Sequence, residues 1–185
     1  MLHEVVVAGF GGQGVLLTGQ LLAYAGMLED KQVAWIPSYG PEMRGGTANC
    51  TVTVSEQEIS SPVVEEPSAA LIFNLPSLAK FESRVRPGGI LLINSSLVDR
   101  KSNRKDLHVY EIPANEIADT LGNGRVANMV MLGAYLELTG AVSVASVMKA
   151  LEKVLPEHRH NLLPLNQKAM EMGAKAVRKV AAIGA

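Results

Sequence analysis

The chain of 185 residues holds a single cysteine, Cys50. A disulfide needs two thiols, and an iron–sulfur cluster or structural zinc site needs several, so any metal redox centre working with this chain must come from another polypeptide. The four histidines do not make up the shortage: His158 and His160 stand two apart in a polar stretch, and His3 and His108 are isolated. No metal site is expected. Aromatics are scarce as well, with one Trp, four Tyr and three Phe, which leaves few platforms on which single-stranded bases could stack. Net charge is almost nil, 17 basic against 18 acidic residues, whereas affinity for nucleic acid or anionic lipid comes from clustered positive charge. Neither is an expected ligand. The longest apolar runs, such as Ile90 to Ile93, fall far short of the roughly 20 residues of a membrane crossing, and no charged-then-apolar leader opens the chain. A cytoplasmic location is therefore expected.

What the chain does contain is 48% hydrophobic and 19% charged residues, the balance of a folded globular domain. Glu4 to Ala8 (EVVVA) is a short β-branched run that stops at Gly9, and Val15 to Glu29 repeats apolar residues at helical spacing. Val33, Trp35 and Ile36 mark a second strand, ended by Pro37. From Ala48 to Val54 the pattern alternates, placing Cys50, Val52 and Val54 on one buried face. Further strands are expected at Ala69 to Phe73, Ile90 to Ile93 and His108 to Ile112, with a short helix at Pro76 to Val85. The charge cluster Asp99 to Asp106 has mixed signs and is expected to be a solvated loop. Helices follow at Asn115 to Leu121, Val126 to Leu138, Ser143 to Leu155 and Leu165 to Val180. The order predicts one Rossmann-like α/β domain over residues 1–185: an open, mostly parallel sheet, helices on both faces, and a helical C-terminal third.

Gly9-Phe10-Gly11-Gly12-Gln13-Gly14 fits G-x-G-x-x-G directly after a strand and before a helix. Glycines there allow positive φ and let backbone N–H groups approach an anion, which the positive end of the helix dipole also favours. A phosphate or diphosphate is the natural ligand. The pattern alone equally supports a tight turn that binds nothing. A nicotinamide dinucleotide is disfavoured, because the ribose-binding acid expected about 20 residues on is missing: Ala34, Trp35, Ile36 and Pro37 fill that region, with Asp30 too early and Glu42 too late. No Gly-Lys-Ser/Thr follows, so the loop is no P-loop.

A second loop, Tyr39-Gly40-Pro41-Glu42-Met43-Arg44-Gly45-Gly46, is expected at the carboxyl end of the second strand, the edge where open α/β sheets bind ligands. Arg44 offers a guanidinium fork to a carboxylate or phosphate; a surface contact with Glu42 or a subunit-docking turn is the structural alternative. No nucleophile–base pair is visible. Ser38, Ser61, Ser95 and Ser96 are turn or cap residues, and Met129, Met131 and Met148 core fillers.

Taken together, GFGGQGVLLTGQLLA, WIPSYGPEMRGGTANCTV, the Ile59-Ser60-Ser61-Pro62 turn, PGGILLINSSLV and IPANEIADTLGNGRVANMVML resemble the gamma subunit of 2-oxoacid:ferredoxin oxidoreductases, most closely its 2-oxoglutarate (KorC-type) branch. The likeness covers nearly the whole chain. It implies a cytoplasmic multisubunit enzyme that oxidatively decarboxylates a 2-oxoacid on thiamine diphosphate with magnesium, passes electrons through [4Fe–4S] clusters to ferredoxin, and delivers the acyl group to coenzyme A. Thiamine diphosphate and the clusters are implied on alpha, beta and ferredoxin-like delta partners, with this chain inactive alone. The job left for it is coenzyme A contact, with Gly9, Gly11, Gly12 and Gly14 giving backbone approach, Gln13 a side-chain amide and Arg44 a charged contact. The loop of Tyr39, Gly40, Pro41, Glu42 and Met43 is expected to dock partners. Two other readings remain open: a free-standing dinucleotide-dependent dehydrogenase, and a purely structural interface subunit. A homodimer of the isolated chain is a further expectation.

Overall fold

The structure is a computed structural model that describes residues 1–39 and 47–183. The strands are β1 (Leu2–Phe10), β2 (Gln32–Tyr39), β3 (Thr47–Ser55), β4 (Ala69–Ile72), β5 (Ile90–Asn94) and β6 (His108–Ile112). The helices are α1 (Val15–Leu28), α2 (Leu75–Phe81), α3 (Ala114–Thr120), α4 (Ala127–Thr139), α5 (Val144–Val154) and α6 (Leu163–Ile183). All six strands form one sheet in the order β2-β3-β1-β4-β5-β6.

The sheet has a parallel half and an antiparallel flank. β1, β4, β5 and β6 pair in parallel, each reached through the long connection that a parallel neighbour demands. β3 returns antiparallel to β2 and lies antiparallel to β1 as well, with Phe10 opposite Thr47 and Tyr39 opposite Ala48. β3 thus separates β1 from β2. Pro37 does not end the second strand as its sequence predicts, but lies within β2, paired with Cys50. β2 is the sheet edge, where a proline's missing N–H can face outward and leave the ladder intact.

One face of the sheet buries the larger core. Val5 and Val7 of β1, Cys50, Val52 and Val54 of β3, and Leu71 of β4 pack there against α1, α4, α5 and α6. On the other face Val6, Ala8, Ala70, Ile72, Leu91 and Ile93 pack on Leu78 and Phe81 of α2 and on Val85 beyond it. The alternation along β1 and β4 is what divides these two sets. α4 follows no such division: Ala127 through Leu136 are all buried, because the helix is covered on every side. Its contact with α6 is backbone against backbone. A Cβ on Gly133 would overlap the Met170 carbonyl, and one on Gly173 would overlap the Val130 carbonyl.

The charged stretch from Asp99 to Asp106 has no regular secondary structure, yet it is anchored more firmly than a solvated loop. Arg100 reaches the Glu82 carboxylate at 2.5 Å, and Arg104 forks onto Asp106 at 2.6 and 2.7 Å while donating to the carbonyls of Glu82 and Val85. These contacts tie the β5–β6 connection to the end of α2. Among the described residues, no helix is long and apolar enough to cross a membrane.

Candidate functional site

The carboxyl ends of β1, β4, β5 and β6 share one edge of the sheet, and the chain leaves β1 and β4 toward opposite faces, through α1 and α2. Between such diverging connections an α/β sheet opens a crevice. The glycine loop lies there. β1 runs to Phe10, the loop turns through Gly12 at φ 89° and Gly14 at φ 76°, and α1 begins at Val15. Both angles lie in the left-handed region that only glycine enters without strain.

The glycines of the loop serve different ends. A Cβ on Gly9 would strike Gln13 and come within 2.7 Å of Phe73, and one on Gly14 would come within 2.6 Å of the Asn128 amide, so packing alone accounts for both. Packing does not account for Gly12, whose Cβ would meet nothing within 4 Å; it stands at the open side with Gly11, also exposed. Gln13 works inward: its Oε1 accepts from the Phe10 N–H at 2.6 Å and its Nε2 donates to the Phe73 carbonyl at 3.3 Å. It therefore bridges the ends of β1 and β4 and fixes the loop across the crevice. Gly14 caps α1 with no side-chain hydrogen bond, and the first turn of α1 carries no acid, so neither the cap nor the first turn compensates the positive end of the helix.

The crevice is a cleft of about 170 Å³ lined by Gly12, Gln13, Phe73, Leu97, Asn115, Gly124, Arg125 and Ala127. No carboxylate is among these residues, and Arg125 is the one cation. Asn115 is held by buried Asn94 at the end of β5, which donates to it at 2.7 Å while accepting from the Ala114 N–H at 3.2 Å. Gly124 and Arg125 belong to a 3-10 turn ahead of α4, capped by the Asn123 side chain, which accepts from the Arg125 N–H at 3.0 Å. The lining brings together bare loop glycines, a helix start and an arginine, groups that suit an anion.

Of the residues singled out from sequence, Gly9, Gly11, Gly12, Gln13 and Gly14 come together in this loop. Tyr39 ends β2 on the antiparallel flank and is 69% exposed. Gly40, Pro41, Glu42, Met43 and Arg44 lie outside the described residues. The ends of that segment are placed: Tyr39 and Thr47 sit on β2 and β3, and Thr47 pairs with Phe10 beside the glycine loop. Arg125, Asn115 and Asn128 carry no signal in sequence that marks them as cleft residues. The Gly122-Asn123-Gly124 composition marks a turn before α4, and nothing in it tells which loop that turn faces.

A dinucleotide fits this edge poorly. In the usual dinucleotide-binding order the second strand lies next to the first, so its terminal acid reaches the ribose. Here β3 intervenes and moves the end of β2 two strand spacings from β1, each about 4.8 Å. Asp30, at φ 56° between α1 and β2, lies at the opposite end of that strand. Cys50 is no nucleophile for the cleft either: it is fully buried beneath α1, and burial pushes its thiol up to about 11 against a weaker pull from the Trp35 indole. Among the described residues, no three His, Cys, Asp or Glu side chains gather as metal ligands.

The family model for pyruvate ferredoxin/flavodoxin oxidoreductase matches residues 4–176. Ketoisovalerate oxidoreductase subunit VorA of Methanothermobacter marburgensis is 41% identical over 178 residues, 95% of this chain and 37% of that one. The chain thus spans little more than a third of the VorA length. The 2-oxoglutarate synthase subunit KorC of Methanocaldococcus jannaschii is 36% identical over 172 residues, covering 90% of this chain and 92% of that one. Among solved structures, the gamma subunit of a keto/oxoacid ferredoxin oxidoreductase from Geobacter sulfurreducens PCA is 31% identical with a TM-score of 0.81, over 96% of this chain and 99% of that one. The 2-oxoglutarate:ferredoxin oxidoreductase of Magnetococcus marinus, solved with 2-oxoglutarate, coenzyme A and succinyl-CoA bound, shares the fold at a TM-score of 0.87 and 22% identity, over 96% of this chain and 31% of that one. With a family match over most of its residues and gamma-type relatives along nearly its whole length, the chain belongs to the pyruvate ferredoxin/flavodoxin oxidoreductase family.

Proposed function

We propose that this chain is the gamma component of a cytoplasmic 2-oxoacid:ferredoxin oxidoreductase and that its glycine loop receives the diphosphate of coenzyme A. The observation that carries this reading is the cleft at the start of α1, whose described lining holds no carboxylate and where Gly12 is left bare on the open side. An anion there meets backbone N–H groups and the positive helix end, with no like charge in the lining to repel it. Oxidative decarboxylation itself needs thiamine diphosphate, magnesium and [4Fe–4S] clusters. One cysteine cannot hold a cluster, so these groups are assigned to alpha, beta and ferredoxin-like delta partners, which pass electrons on to ferredoxin. This chain supplies anion binding and orientation. Gln13 contributes by holding the loop, and Arg44, from the segment between β2 and β3, by a charged contact.

The substrate proposed is 2-oxoglutarate, on the KorC-type likeness. The VorA likeness makes a branched-chain 2-oxoacid the rival, and assay of the purified complex with both acids decides between them. A second reading, a purely structural interface subunit, draws support from Gly9 and Gly14, whose packing needs no ligand. The test is to purify the tagged chain from its native cell and measure coenzyme A kinetics of what comes with it. Thiamine- and cluster-bearing partners, together with a raised coenzyme A KM in Arg44→Ala or Gly11→Val, support the proposal. Unchanged kinetics in both variants of an intact complex favour the structural reading.

A further inference from the structure

We infer that Arg125 is the cation of this anion site and that it grips the diphosphate from the wall opposite the glycine loop; the inference rests on the coenzyme A reading above. Arg125 lines the cleft together with Gly12 and Gln13, although it belongs to the turn before α4. Its backbone is fixed by the Asn123 cap, so the side chain leaves from a defined point. Arg86, Arg100, Arg104 and Arg178 each meet a carboxylate, whereas Arg84, Arg125 and Arg159 have no ion pair among the described residues, and of these three Arg125 lines the cleft. A guanidinium without a counter-charge among the described residues, in a cleft whose described lining holds no acid, is matched by a doubly charged oxyanion.

The size of the cleft sets which part of the ligand enters. At about 170 Å³ it lies below the roughly 300–1,000 Å³ of pockets that enclose a whole drug-sized ligand. The diphosphate fits between Gly12 and Arg125, and the adenosine and pantetheine arms must run out over the protein surface. Recognition at this site is therefore of the diphosphate itself and not of either arm.

Calorimetry separates the possibilities, using the full chain and its purified complex, with coenzyme A, its 3′-dephosphorylated form and pantetheine as probes. Coenzyme A and the dephospho form should bind alike to the wild type, and Arg125→Gln should weaken both about ten- to a hundredfold, the range of one charge-assisted hydrogen bond. Arg125→Lys should recover part of that loss, because it keeps the charge without the fork. Pantetheine affinity should not respond to either change. Equal coenzyme A affinity in wild type and Arg125→Gln overturns the role of Arg125 while leaving the function proposed for the chain. Absence of coenzyme A binding to the wild type, alone and in the complex, overturns both. Arg125 is exposed, so its variants should melt with the wild type.

Discussion

The Asn128 amide on α4 points at the carbonyl of Gly14, 3.5 Å away and 114 residues distant in sequence. The same carbonyl accepts from the N–H and hydroxyl of Thr18, both at 2.9 Å, so one atom ties the glycine loop to α1 and to the helix behind it. Because α4 follows directly on the turn that carries Arg125, this contact also sets the spacing between the two walls of the cleft.

Gly14→Ala should therefore act twice. The left-handed φ of 76° strains any side chain, and the new Cβ would press on Asn128. Together these should cost about 2–6 kcal/mol, from about 1–3 for the backbone strain and a similar overpacking penalty. Urea unfolding monitored by circular dichroism reads the loss. Gly12→Ala shares the backbone strain but meets open space, so its penalty should be about 1–3 kcal/mol.

The crossing of α4 on α6 makes a sharper demand. Gly133→Ala should drive a methyl into the Met170 carbonyl, and since the obstacle is backbone, the helices must move apart. A loss of at least about 1–3 kcal/mol is expected from overpacking, read as a lowered urea midpoint. Gly122→Ala, in an open turn at φ 79°, carries the strain of a positive φ, which Gly133 does not have, and meets no neighbouring atom, so it is the control for Gly14→Ala that keeps the strain without the clash.

Stability should also fall in acid through Glu29. Burial pushes its carboxyl up, but the Ser143 N–H at 2.7 Å and the Lys31 ammonium at 2.9 Å outweigh that and hold it at about 2. Ser143 caps α5 and Lys31 also reaches the Ala141 carbonyl, so Glu29 fastens the end of α1 to the start of α5. A carboxyl depressed in the folded state stabilises above its unfolded pKa, and that contribution disappears as pH falls from about 5 toward 2. The effect should be on the order of 1–2 kcal/mol after allowance for partial solvent contact. Glu29→Gln should lose it at neutral pH and show a flatter stability profile over that window.

Much of this arrangement is legible in the residues themselves. The β-branched run Val5 to Val7, the glycines after it and the apolar periodicity from Val15 specify strand, turn and helix by local geometry, and the alternation through Cys50, Val52 and Val54 gives the buried face of β3. What local pattern does not carry is neighbourhood. Pro37 looks like a strand end because nothing beside it reveals that β2 is an edge. The place of β3 between β1 and β2, which removes the ribose side of a dinucleotide site, is set by how the sheet closes over its core. For the same reason Arg125 is an ordinary turn residue in sequence and a wall of the cleft in the fold.

The most direct measurement is the structure of the assembled complex with coenzyme A bound. The expected result has diphosphate oxygens within hydrogen-bond reach of the Gly12–Gly14 backbone and of the Arg125 guanidinium, with both arms of the ligand leaving the cleft. Coenzyme A seated away from this edge, with partner or own side chains filling the space between Gly12 and Arg125, would contradict it.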